Sequence, residues 1–249
     1  MAVVLRSRKL TDAGFRHGFS TRLGGVSEGC FSSLNLARTS LDAPAAVEEN
    51  YRRLAAEIGY EPSQLREVTQ VHGRDVLVVS SGDEAKETRA RSADALVSRE
   101  AGLAVGVRTA DCVPILVGDP RSGAVAAIHA GWRGVVARVL EPALEALGGE
   151  ARTLVVAIGP HIRGASFEVS EDVAAQIAGA STPSVVLAGR ARPHVDLALA
   201  VRAQLAALGV LDANVDDVLG DSFAESVRFH SHRRDAERSG RQLSAIVAR

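Results

Sequence analysis

Three apolar runs of this 249-residue chain end in side chains able to hold a metal ion: His72 in "TQVHGRDV", Cys112 in "RTADCVPIL" and His129 in "AIHAGWRG". Two imidazoles and one thiolate suit a borderline-soft ion such as zinc. Three protein ligands with a fourth position open is the catalytic form of a zinc site, whereas structural sites close with four. The first two residues lie 40 positions apart and the last two 17, so no local ligand pair announces the group. Each residue also has a plainer reading on its own, as a hydrogen-bonded core histidine or a thiol that packs as a small hydrophobe.

The elements that must position these side chains are mostly apolar strands. "AVAAIHAG" reads as a buried strand that turns at His129 into a helix carrying Val135, Val136, Val139 and Leu140, and Pro142 should kink or divide that helix. Side chains at such strand-to-helix turns point into the crevice beyond the sheet. "LAVGVRTADCVPILVGD" predicts two buried strand pieces interrupted at "TADC", since Pro114 disfavours a continuous ladder. "EVTQVHG" and "DVLVVS" read as strands flanking a turn, "TLVVAIGP" as a strand ending at Gly159-Pro160, and "RQLSAIVA" as a final strand. "PAAVEENYRRLAAEIG" places Val47, Tyr51, Leu54, Ala55 and Ile58 on one helical face, with Asp42 near its start and Gly59 at its end. "DLALAVRAQLAALG" is a second helix, closed by Gly209. Residues 80–92, "SSGDEAKETRARS", read as an exposed loop. These segments predict one α/β domain of mixed sheets covered by helices.

Composition sets the limits. Apolar residues make up 46% and charged residues 24%, an ordinary globular balance. A formal net charge of -1 gives no general electrostatic case for nucleic acid or anionic membrane. No segment approaches the roughly 20 apolar residues of a membrane span. "MAVVLRSRKL" has too short an apolar run for a secretory leader, and two cysteines, Cys30 and Cys112, are too few for a disulfide framework. A cytoplasmic, reduced protein is the expectation.

"FSTRLGGVSEGCFSSLNLA", "VEENYRRL", "QVHGRDV", "SADALVS", "TADCVPIL", "HAGWRG", "GPHIRGASFEVSEDV" and "SHRRDAERSGR" together resemble the YfiH/PgeF family, the laccase-domain or polyphenol-oxidase-like purine nucleoside phosphorylases, over nearly the whole chain. The resemblance implies a four-layer α/β/β/α sandwich, with zinc on His72, Cys112 and His129. It implies phosphorolysis of adenosine, inosine, guanosine and methylthioadenosine, together with adenosine deamination. Phosphorolysis needs an anion held while positive charge develops on the sugar, a task for the planar fork of arginine. Arg22 in "STRLGG", with glycines freeing backbone N–H groups, is the first candidate, followed by Arg133 and Arg233. Surface or structural ion pairing is the other reading of the latter two. Asp111 could orient a ligating histidine, act as acid or base, or simply stabilise a turn. Trp132 is either a base-stacking platform or packing, Glu168 a substrate contact or a solvated carboxylate, and Cys30 incidental.

The C-terminal stretch departs from the family pattern. Asp221 and Ser222 replace a Cys-Thr pair, while His230 and His232 replace a phenylalanine and a tyrosine. Solvated surface or adventitious metal binding are the readings of the two histidines. Two further activities come with the family: a copper-dependent polyphenol oxidase, and an editing factor in peptidoglycan-precursor synthesis working as a Cys–His hydrolase, with Cys112 as nucleophile and His129 as base, although a zinc-held thiolate does not readily do both jobs. Seven histidines are too few for a blue-copper centre plus a trinuclear cluster. Copper can nevertheless displace zinc at an N/S site in vitro.

Overall fold

Two segments without alternation, Val113–Gly118 (β7) and Val125–Ala130 (β8), are buried at every position in the computed structural model, which describes residues 1–38 and 41–249. A strand covered on both faces reads as a continuous apolar run. These two pair antiparallel at the centre of a six-stranded sheet ordered β10-β9-β7-β8-β5-β4, completed by Val76–Val79 (β4), Ala95–Ser98 (β5), Val155–Ile158 (β9) and Val215–Asp217 (β10). A five-stranded sheet ordered β1-β2-β11-β6-β3 holds Val4–Leu5 (β1), His17–Ser20 (β2), Leu65–Arg66 (β3), Ala104–Thr109 (β6) and Gln242–Val247 (β11). Each sheet mixes parallel and antiparallel pairs.

Three apolar clusters stack these sheets into layers. Phe19, Val105, Val107 and Ile246 of the five-stranded sheet meet Leu96, Leu116, Ala127 and Ala157 of the six-stranded one. The other face of the six-stranded sheet, through Ile115, Ile128 and Ile158, packs on Trp132–Val136 (α4), Leu140–Leu147 (α5), Glu171–Ala180 (α6) and Leu197–Ala207 (α7). The outer face of the five-stranded sheet packs on Pro44–Ile58 (α2). The result is the expected α/β/β/α sandwich with mixed sheets. Short helices at Arg8–Asp12 (α1), Ala85–Ala90 (α3) and His232–Asp235 (α8) close its edges.

Helix α2 starts with proline in its first turn, buries Val47, Tyr51, Leu54 and Ile58, and stops where Gly59 adopts a left-handed φ of 92°. The helix after His129 is divided as predicted. Arg138 turns at φ 58° between α4 and α5, and Pro142 sits in the first turn of α5, where its missing N–H had no intrahelical partner.

The two buried strand pieces interrupted at "TADC" are present as β6 and β7. The cause of the interruption is not Pro114, which lies within β7 opposite His129 with the ladder to β9 starting at Ile115; it is a passage from the five-stranded sheet to the six-stranded one. Two further expectations are corrected. "EVTQVHG" is not a strand. Only Leu65–Arg66 pairs with β6 and Thr69 makes an isolated bridge to Ser92, after which the chain turns with His72 at φ 61°. Residues 80–92 are not simply a loop, because α3 forms from the good helix formers of "AKETRA" and buries Thr88.

Candidate metal centre

His72, Cys112 and His129 converge. Their ligand atoms all lie within 4.8 Å of one another, and among the described residues this is the one cluster of three or more such side chains. Cys112 Sγ is 3.8 Å from His72 Nε2, and the two imidazoles meet edge to face with centroids 4.8 Å apart. Tetrahedral zinc, with bonds of about 2.0–2.3 Å, places its ligand atoms roughly 3.5 Å apart, so small side-chain rotations complete the fit. Gly131 leaves the room: a Cβ there would stand 2.9 Å from His72 Cδ2 and 3.0 Å from Cys112 Sγ.

Asp94, fully buried at the threshold of β5, assembles the trio. Its carboxylate accepts the backbone N–H of His72 at 2.9 Å, of Gly73 at 2.6 Å and of Val71 at 3.3 Å, wrapping the "QVHG" turn around itself. The same group accepts from His129 Nδ1 at 2.8 Å, and the Asp94 carbonyl accepts the His129 N–H at 2.7 Å. An Nδ1–H donated to a carboxylate leaves Nε2 of His129 free as a ligand. Gln70 fastens the turn to β6, its amide bonding both the N–H and the carbonyl of Arg108. Sequence reasoning missed Asp94. Its signal was a carboxylate opening a fully buried strand in "SADALVS", where it must be satisfied to be there at all.

The charges of the trio are coupled. Burial pushes the Cys112 thiol up, but His129 and His72 outweigh it and bring it down to about 6. Burial lowers His129, while Cys112 and Asp94 raise it to about 9. Burial raises the Asp94 carboxyl, and its bonds from His129, Gly73 and His72 hold it below the ordinary carboxylate value. Without a metal the trio is therefore a thiolate–imidazolium pair oriented by a carboxylate; with one, the thiolate is ready to ligate.

The trio lines a cavity of about 650 Å³ together with Asp111, Trp132, Arg133 and Arg233. Asp111, at φ 86°, has its carboxylate engaged by Ser222 Oγ at 2.6 Å, Ser231 Oγ at 3.0 Å and the Arg233 N–H at 2.6 Å, so its hydrogen bonds anchor the C-terminal segment rather than the histidines. Arg133 is exposed and stacks on Trp132 at 4.5 Å. Arg233 leans over Phe167 and donates to the Glu168 carbonyl at 2.9 Å. The Glu168 side chain faces a neighbouring hollow of about 640 Å³ and pairs with Arg192 at 3.0 Å.

Arg22 is not brought to this cavity. Its guanidinium is occupied by the carbonyls of Ser32, Ser226 and Cys30, bracing a loop that carries the exposed Cys30. The glycines beside it serve close packing, because a Cβ on Gly24 would strike the Met1 carbonyl and one on Gly25 the Ser33 carbonyl. Asp221 caps a turn through the N–H groups of Phe223 and Ala224. His232 is exposed on the cavity edge as expected, but His230 is fully buried, which corrects the expectation of a solvated side chain there. Arg108 and Arg241 line the cavity too and were not singled out from sequence.

The sequence profile described as multi-copper polyphenol oxidoreductase laccase matches residues 16–249. The chain belongs to this family. A Deinococcus radiodurans protein named purine nucleoside phosphorylase is 40% identical over 92% of this chain and 88% of its own length. Purine nucleoside phosphorylase ORF3 of Streptomyces griseus is 38% identical over 94% of this chain and 95% of its own length. Among solved structures, YlmD from Geobacillus stearothermophilus superposes with a TM-score of 0.86 at 31% identity, covering 95% of this chain and 93% of that one. The hypothetical protein YfiH of Bacillus licheniformis superposes at 0.88 with 25% identity, covering 94% of this chain and 92% of that one. The laccase description of the family implies a metal, and the His-Cys-His group is where this member could hold it. No helix among the described residues is long and apolar enough to cross a membrane.

Proposed function

We propose that this chain is a zinc-dependent purine nucleoside phosphorylase acting on adenosine, inosine, guanosine and methylthioadenosine, and that the same site deaminates adenosine. The observation that carries the reading is one cavity lined both by a metal-competent trio and by Arg133 and Arg233, which have no carboxylate partner among the described residues. Phosphorolysis breaks the N9–C1′ bond as a phosphate oxygen bonds to C1′; the electron pair leaves with N9, which takes up a proton. Positive charge grows on the sugar, and the arginines hold the anion against it. Zinc at the trio would supply Lewis acidity beside the purine. Trp132 and Phe167 offer flat apolar surface to a base.

The relatives' names support the phosphorylase reading, and the donor inventory disfavours a multicopper oxidase, since the described residues hold a single cluster of possible ligands. The lowered thiol of Cys112 beside His129 favours a Cys–His hydrolase as the second reading. Metal content separates the two: one tightly held zinc per chain supports the phosphorylase, and a metal-free, alkylation-sensitive Cys112 supports the hydrolase. Purified, metal-analysed protein given adenosine and phosphate should release adenine and ribose 1-phosphate, and without phosphate should still yield inosine. Cys112→Ala and His129→Ala should abolish both, and undiminished turnover in either would refute the assignment.

A further inference from the structure

Arg241 is a half-buried guanidinium on the wall of this cavity, and no carboxylate among the described residues lies within ion-pair distance of it. Its backbone is fixed just before β11, with its N–H on Asn35 Oδ1 and its carbonyl accepting the Leu36 N–H, both at 3.0 Å. Nη1 donates to the carbonyls of Ser239 and Gly240 at 3.0 and 2.9 Å, which orients the guanidinium plane. The Nε and Nη2 hydrogens have no protein acceptor among the described residues. Burial opposes this charge, and Cys112, Asp111 and Glu237 favour it only from beyond ion-pair distance. Asp111 is already engaged by three donors, and Cys112 belongs to the trio. A cation held by that trio would offset the thiolate and leave the cavity short of negative charge.

The other cavity arginines are placed differently. Arg108 has Nε facing Glu67 at 3.5 Å and Nη2 on the Val68 carbonyl. Arg133 and Arg233 are exposed and lean on aromatic rings. Arg241 alone among these four combines partial burial, a fixed plane and an open Nε/Nη2 fork, the geometry that grips two oxygens of one anion.

We propose that Arg241 binds the inorganic phosphate that attacks the nucleoside, holding two of its oxygens through Nε and Nη2. The identity of the anion rests on the phosphorylase reading above. The site itself can be tested without turnover.

The experiment is calorimetric titration of metal-loaded, full-length protein with inorganic phosphate, for the wild type, Arg241→Met and Arg241→Lys, with metal content measured in each. The wild type should bind phosphate. Arg241→Met should weaken that binding roughly ten- to hundredfold with metal retained, the loss expected when a charge-assisted bidentate contact is removed. Arg241→Lys keeps the charge without the fork and should fall between them. In turnover with inosine, the KM for phosphate should rise by the same factor while the KM for inosine stays within about twofold. Unchanged phosphate affinity in Arg241→Met, or no phosphate binding by the wild type, overturns the proposal. Should Arg241→Met lose its metal, Arg241→Lys decides, and native affinity there overturns it equally. Phosphate binding through Arg241 without cleavage of any nucleoside would sink the phosphorylase reading and leave this site standing. Normal phosphorolysis with a phosphate KM indifferent to Arg241 would do the reverse.

Discussion

Asp94, behind the trio, and Asp111, on the wall of the cavity, solve the same physical problem. Each is a carboxylate surrounded by donors from distant segments: the 71–73 turn and His129 around Asp94, Ser222, Ser231 and the Arg233 N–H around Asp111. What differs is what they gather. Asp94 holds the 71–73 turn and the His129 ring together, so its order is passed on to the candidate metal trio. Asp111 sits beneath the segment that carries Arg233, so its order is passed on to the wall a substrate would meet. Adjacency in sequence misleads here: Asp111 neighbours Cys112 yet organises the C-terminal segment, and Asp94, distant in sequence from all three residues of the trio, organises the trio.

Removing Asp94 should therefore have the largest effect. Asp94→Ala takes the acceptor from four donors and frees the His129 ring, and loss of such a partner typically costs 10–100-fold in metal affinity. Zinc content after dialysis against a competing chelator should drop accordingly, with thermal stability falling as buried N–H groups are orphaned. A variant that keeps its zinc would break the division of labour between the two aspartates.

Asp111→Asn should act on the C-terminal segment only. Metal content should match the wild type, while kcat/KM for phosphorolysis falls about tenfold, a loss of about 1.4 kcal/mol, because the Arg233 backbone and two serines lose a charged acceptor. Parallel metal analysis and kinetics check this. Zinc loss in Asp111→Asn would merge the two regions into a single network.

The histidines sharpen the contrast. Near the trio a negative thiolate and carboxylate raise His129; in the C-terminal wall, burial and then the nearby Arg22 charge lower His230 to about 3. An unfolded histidine titrates near 6.5, so between that pH and 3 the unfolded chain binds a proton that the folded chain refuses. Stability must then fall as pH falls, by about 2 kcal/mol at pH 5 from this residue. His230→Phe removes the penalty and restores the residue of the family pattern. The melting-temperature drop from pH 7.5 to 5.0 should shrink by roughly 4–8 °C, with buried His161, lowered to about 4, keeping part of it. An unchanged drop would mean that His230 is not held neutral.

The same contrast explains what could be read in advance. Helix α2 and strands β7 and β8 were legible because apolar spacing reports burial directly. The grouping of His72, Cys112 and His129 was legible mainly through the family resemblance, since only His129 ends a strand and the three are far apart in sequence. The "QVHG" turn was not, since its shape depends on a carboxylate 22 residues beyond His72. Arg241 was invisible for a related reason: half-burial and the lack of a facing carboxylate are properties of the fold, and nothing in "RSGRQL" states them. Arg22 misled because glycines that free backbone N–H groups and glycines that allow two loops to touch look identical in a string of letters.

Glu168 gives the smallest expected effect and the finest test of where the substrate wall ends. Sequence reasoning offered its side chain as a substrate contact, but the atom that touches the cavity arginine is its carbonyl, which takes Arg233 Nη1 at 2.9 Å and which no side-chain substitution removes. The carboxylate itself turns to Arg192 in the next hollow, with side chains 44% and 76% exposed, a setting in which an ion pair contributes little. Glu168→Gln should hence leave metal content unchanged and both KM values within about twofold. A tenfold rise in the nucleoside KM would show that bound substrate crosses the Trp132–Phe167 rim, so that the two hollows act as one site. The wall organised by Asp111 would then extend past Arg233 to Arg192.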